Sequence, residues 1–129
     1  MPRTVCLLLA SLVLLAGCGP SGPRTYRVSG VVTYNGEPVS EGDIVFIPED
    51  PALGADAGRI VKGSYETEAK AGVCRVEISA VEIGPDTPRI DGVPVVTNYL
   101  PERYNTQSEL SVEVQPNNRN SFDFNLTSD

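Results

Sequence analysis

The sequence predicts an all-β domain, seven short strands packed face to face as two sheets. Three observations carry this expectation. From Thr25 onward no stretch keeps an apolar stripe at helical spacing for three turns. Short runs of alternating or β-branched residues recur instead. Between them stand turn signals such as Asn35-Gly36, Lys62-Gly63 and Pro116-Asn117-Asn118-Arg119-Asn120.

Taken in order, the first strand runs from Thr25 to Asn35. Tyr26, Val28, Val32 and Tyr34 share one face with Gly30 between them, and Asn35-Gly36 supplies residues tolerant of positive φ. Asp43 to Pro48 forms the second strand, apolar through its centre as suits a strand covered on both faces or lying in a sandwich core, and Pro48 and Pro51 close it. Gly58 to Val61, a Lys62-Gly63 turn and Ser64 to Thr67 read as a hairpin with Ile60 and Tyr65 turned to the core. In Val73 to Ile83, Cys74, Val76, Ile78 and Ala80 alternate with Val73, Arg75, Glu77 and Ser79, which puts the thiol on the apolar face. Finally Leu110, Val112 and Val114 alternate with polar residues, residues 116–120 turn the chain, and Phe122, Phe124 and Leu126 alternate with Asp123 and Asn125, a pattern of a C-terminal hairpin. Seven strands with tight turns in about a hundred residues make an immunoglobulin-like or similar Greek-key sandwich the default layout, with a closed barrel as the alternative.

The chain of 129 residues has room for one such domain. Its start is different in kind. Arg3 and the amino terminus are followed by an apolar run from Val5 to Ala16, shorter than the roughly 20 residues of a membrane-spanning helix and suited to an export signal. The run ends in Leu15-Ala16-Gly17-Cys18, which resembles the lipobox of bacterial lipoproteins. The resemblance implies cleavage between Gly17 and Cys18 and lipidation of Cys18 through its sulfur. Each buried methylene of an acyl chain contributes about 0.8 kcal/mol, so two or three chains on one residue make a lasting anchor. The expected organisation is a lipoprotein signal peptide over 1–17, a lipidated Cys18 with a Gly- and Pro-rich tether over 18–24, and a β-sandwich domain over 25–129. Such a protein is anchored in the cell envelope, at the outer membrane or the cell membrane, with its domain facing the periplasm or the exterior.

The run from Val28 to Val39, followed by Gly42-Asp43-Ile44-Val45-Phe46, resembles the opening hairpin of carboxypeptidase regulatory-like or transthyretin-like domains, where a G-x-V-x-x-x-G-x-P-V strand and turn precede a second apolar strand. Lys62-Gly63-Ser64-Tyr65 and Ala71-Gly72-Val73-Cys74-Arg75-Val76 resemble a later turn and strand of those domains. The stretch from Tyr99 through Leu126 is similar to small bacterial envelope lipoproteins that join a lipobox to this domain. The resemblance implies a seven-stranded transthyretin-like (prealbumin-like) sandwich and a non-catalytic structural, adhesion-like or ligand-binding role.

Charge and composition narrow the chemistry. Without residues 1–17 the balance is nine basic against 17 acidic residues, 9 − 17 = −8, and the basic ones are scattered singly from Arg24 to Arg119. No nucleic-acid partner is expected of such a surface. The chain has no histidine, so Ser-His-Asp and Cys-His devices and His-based metal sites are excluded. Nor does it contain a calcium loop of the D-x-D-x-D-G type. Glu37, Glu41, Asp43, Glu49, Asp50 and Asp56 cluster in sequence and read as solvated loop charge. The expectation is a protein that is not an enzyme and carries no cofactor or metal.

One segment leaves a binding site open. Gly84 to Gln107 is long for a connection and holds Pro85, Pro88, Pro94 and Pro101. Either its apolar residues fold back to cap the sandwich, or Tyr99, Arg103 and Tyr104 form an exposed aromatic and basic patch. The expected partners are the membrane, through the N-terminal lipid, and an envelope protein or a glycan. An accessory role beside an envelope hydrolase or transport complex is the alternative.

Overall fold

The computed structural model describes residues 23–129. The expected signal peptide, its cleavage site at Gly17 and Cys18, and the lipidated cysteine lie outside the described residues. The described chain is all-β, and its strands follow the alternation of the sequence. β1 (Thr25–Tyr34) turns at Asn35-Gly36 into the short β2 (Glu37–Pro38). The turn residues have φ of 52° and 83°, the paired positive values that a two-residue hairpin loop needs. β3 (Glu41–Pro48), β4 (Asp56–Val61), β5 (Ser64–Lys70) and β6 (Gly72–Ala80) follow. A small hairpin of β7 (Arg89–Ile90) and β8 (Val93–Pro94) and a 3-10 turn at Glu102–Tyr104 give the long 84–107 segment local structure of its own. β9 (Ser111–Val114), β10 (Asn120–Ser121) and β11 (Phe124–Leu126) complete the chain.

Hydrogen bonding runs in the order β10, β1, β5, β4, β3, β6, β9, with β11 and β2 also on β1. β10 and β11 run parallel to β1, and the other ladders are antiparallel. The sheet curls at one place. β4 and β5 pair only at Ile60 with Tyr65 and Val61 with Ser64, beside the Lys62-Gly63 turn, and then part. Past that point the gap is bridged by side chains, as where the Thr67 hydroxyl donates to the Ala57 carbonyl at 3.1 Å.

The expected C-terminal hairpin does not form. β9 lies against β6, whereas β10 and β11 cross to the opposite edge and pair with β1. Alternation determines which side chains point inward but not which strand is the neighbour, so both segments keep their expected inner faces while their pairing differs. The strand expected to reach Ile83 also ends sooner, at Ala80, whose N–H donates to the Asn98 side chain at 3.0 Å.

The core fills the curl. Val28, Val32, Ile44, Phe46, Ile60, Cys74, Val76 and Ile78 are fully buried, and each such apolar side chain contributes about 1.5–3 kcal/mol. Tyr65 stands between the layers, its ring 6.1 Å from Phe46 and 6.3 Å from Phe124. On β3 only one face is fully enclosed, since Val45 and Ile47 are half-buried.

Candidate functional site

Strand register gathers several turns at one end of the domain. β1 begins with Thr25 opposite Lys70 and finishes beyond Val31, which lies opposite Ser64. Val61 pairs with both Ser64 and Glu41, and Gly42 pairs with Ala80. The end of β1, the β1–β2 turn, the start of β3 and the exit from β6 therefore meet together. At about 3.3 Å per residue this end is roughly 30 Å from Thr25.

A groove of about 650 Å³ opens there. Tyr34 and Tyr99 line it side by side as an aromatic pair, with ring centroids 5.8 Å apart and planes tilted by 55°. Tyr34 is the last residue of β1 and is held by the ladder to Glu37 and by the parallel pairing with Leu126. Tyr99 is fixed through its backbone, which donates to the Ala80 carbonyl at 3.1 Å. Its neighbour Asn98 accepts from the N–H groups of both Ala80 and Leu100, at 3.0 and 3.1 Å. Glu37, Glu41 and Glu82 stand around the rings with the exposed Ile83, and among the described residues no basic side chain lines the groove. Burial pushes the Tyr99 phenol up, and the Glu82 carboxylate adds to the shift. A smaller recess of about 230 Å³ shares Glu41, Val81 and Ile83 and adds Arg59. The Arg59 guanidinium lies 2.8 Å from Glu41 and 3.7 Å from Asp43.

Arg103 and Tyr104 serve another contact. The Arg103 guanidinium lies over the Tyr104 ring, 4.8 Å from its centroid. It donates to the Thr127 carbonyl and, at 2.7 Å, to the Asp129 backbone oxygen. The Tyr104 hydroxyl accepts the Thr127 N–H at 3.0 Å. Burial pushes the Tyr104 phenol up, but hydrogen bonds with Thr127 and the charge of Arg103 outweigh it and bring the group below its ordinary value. Together the two side chains clasp the C-terminal residues. The three residues of the expected patch thus divide, Tyr99 to the groove and Arg103 with Tyr104 to the clasp. The segment that carries them packs on the core in part and stays exposed in part. Leu100 is buried and Tyr104 packs on the core, whereas Ile90, Val93, Val95 and Val96 stay exposed.

Of the six carboxylates expected as solvated loop charge, Glu49 and Asp50 are exposed in the bend after β3 and Glu37 is exposed on β2, whereas the other three are placed differently. Glu41 and Asp43 belong to β3 and pair with Arg59, and Asp56 is mostly buried, 2.8 Å from Lys70. Cys74 is enclosed, its sulfur 3.7 Å from the Lys70 carbonyl. Burial and then the Asp56 charge push its thiol up, which keeps it protonated and a poor nucleophile. Among the described residues no three His, Cys, Asp or Glu side chains converge to hold a metal ion, and no helix is long and apolar enough to cross a membrane.

No family model, curated protein or solved structure matches this chain. Sequence reasoning missed Tyr34, Glu37 and Glu82 as members of a site. The only signal for Tyr34 was its place beside the Asn35-Gly36 turn, where a strand end leaves a ring half-buried.

Proposed function

We propose that this chain is a lipid-anchored, non-catalytic module of the bacterial cell envelope, which binds a partner at the end of its domain remote from the anchor. The observation that carries this reading is the opposed placement of Thr25, where the tether joins, and the Tyr34–Tyr99 groove, roughly 30 Å away along β1. Residues 18–24 span at most about 25 Å, so the tether holds the Thr25 end of the domain near the bilayer and leaves the groove at the opposite end accessible to a partner. The anchor itself rests on Leu15-Ala16-Gly17-Cys18 and the apolar run before it.

The curl is read here as a transthyretin-like sandwich. Its principal strands divide where β4 parts from β5, with β10, β11, β1 and β5 on one side and β4, β3, β6 and β9 on the other. An immunoglobulin layout would group the first strand with the second, fourth and fifth, which is a different partition. A binding role is favoured over catalysis by the absence of histidine from the chain and by the enclosed Cys74 thiol.

Intact-mass measurement of membrane-extracted protein beside a Cys18→Ser variant tests the anchor. The expected result is a chain that begins at Cys18 and carries acyl mass, both lost in the variant. A soluble, unmodified chain that begins elsewhere overturns it.

A further inference from the structure

The geometry points to a cationic side chain as the occupant of the Tyr34–Tyr99 groove: we propose that it binds an arginine or lysine presented on an extended segment of a protein partner. This rests on the binding-module reading above and gives its ligand a chemistry. Two tyrosines in contact with their planes tilted by 55° present an angled aromatic surface rather than a flat platform. A guanidinium or ammonium group fits against a ring face within about 6 Å of its centroid. A pyranose ring, by contrast, stacks best on one broad face.

Charge points the same way. Glu37, Glu41 and Glu82 line the groove, and among the described residues neither Glu37 nor Glu82 has an ion-pair partner. Only Glu41 is engaged, by Arg59 from the adjoining recess. An anionic ligand would meet three carboxylates and no basic lining residue, whereas a cation meets complementary charge on a partly desolvated surface. The exposed Ile83 offers apolar surface for the methylene stem that leads to the charged head. The two rings are set in advance, Tyr34 by two ladders and Tyr99 by the Asn98 and Ala80 hydrogen bonds, so little ordering is left to oppose binding.

The test uses the full-length protein in lipid nanodiscs and blocked peptides that are identical except for a central arginine, lysine or citrulline. Titration calorimetry measures each peptide against the parent protein, against Glu37→Gln/Glu82→Gln, and against Glu68→Gln/Glu113→Gln as a charge-matched control on other surfaces. Tyr99→Ala tests the ring, and circular dichroism establishes that each variant is folded. Expected are binding of the arginine and lysine peptides over citrulline, at least tenfold weaker in the Glu37→Gln/Glu82→Gln and Tyr99→Ala variants, and unchanged in the control. Equal weakening in the control overturns the proposal, because any acidic surface would then suffice. Binding of a neutral oligosaccharide in a Tyr99-dependent way, with no peptide binding, overturns the cationic ligand but keeps the binding module. Failure of both probes removes the groove as a site and leaves the anchor to its own mass measurement.

Discussion

Tyr65 donates its phenolic hydrogen to the backbone carbonyl of Phe122 at 2.6 Å, a bond that ties the β5 layer to the C-terminal segment. The same carbonyl lies against Gly30 so closely that a β-carbon there would stand 1.9 Å from the oxygen. Gly30 is therefore required by an approach of backbone to backbone, not by its own turn geometry.

Gly30→Ala forces the segment from Asn120 to Leu126 away from β1 and strains the Tyr65 hydrogen bond. The expected cost is about 2–3 kcal/mol, of the size seen when a packed interior is overfilled. Urea denaturation measures it, and hydrogen exchange locates the lost protection at residues 120–126. An unchanged midpoint would mean that the segment shifts at no cost.

Asn120 joins the crossing segment to β1. Its side-chain oxygen accepts the Gln115 N–H at 2.8 Å, and its amide donates to the carbonyls of Asn117, Gln115 and Arg27 at 2.8, 3.1 and 3.3 Å. Asn120→Ala removes the partner of the Gln115 N–H and of the Asn117 carbonyl in a part-buried site and should cost about 1–3 kcal/mol. Asn120→Asp, which keeps the acceptor and loses the donor, should not restore the loss in a thermal melt.

Asp56 and Lys70 form an ion pair with side chains 20% and 13% exposed. Asp56→Ala strands a largely buried ammonium and should destabilise the fold by about 3 kcal/mol. The double variant Asp56→Ala/Lys70→Met should recover a large part of that. A double variant as unstable as the single would show that packing, not the uncompensated charge, sets the penalty.

Alkaline pH should unfold the protein through two buried acids. Burial raises the Tyr65 phenol well above its ordinary 10.0 and the Cys74 thiol above 9.0. Folded values above unfolded ones mean that the folded state favours the protonated forms. This stability is complete below the unfolded values and falls as pH rises through them toward the folded ones. Denaturation midpoints should therefore hold steady up to about pH 8 and fall beyond it. Tyr65→Phe removes one contributor and should flatten the decline above pH 10, at the cost of a lower midpoint at neutral pH from the lost Phe122 hydrogen bond. A slope unchanged by the substitution would assign the decline to Cys74.

Much of the fold was legible because it depends on short-range rules. The inner faces of β1 and β6 follow from residues two apart, and Val28, Val32, Cys74, Val76 and Ile78 are buried as their spacing requires. The Ile60–Tyr65 hairpin follows from Lys62-Gly63, where φ values of 51° and 79° make a two-residue loop and Gly63 takes the second without steric cost. The candidate groove was much less legible. Tyr99 was marked by composition alone, and Tyr34, Glu37 and Glu82 join it only because the β1–β2 turn and the exit of β6 meet at one end.

By itself the sequence determined the all-β class, the principal strands, their inward faces and the tight turns, since each is set by local sterics and by burial of alternate side chains. Tertiary structure decided that β10 and β11 join β1 instead of β9, that Asp56 meets Lys70, that Arg103 and Tyr104 clasp Thr127, and that two tyrosines from distant segments lie side by side. These pairings join residues far apart in the chain, and which partner wins depends on how the whole curled sheet closes over its core, a balance that no local pattern records.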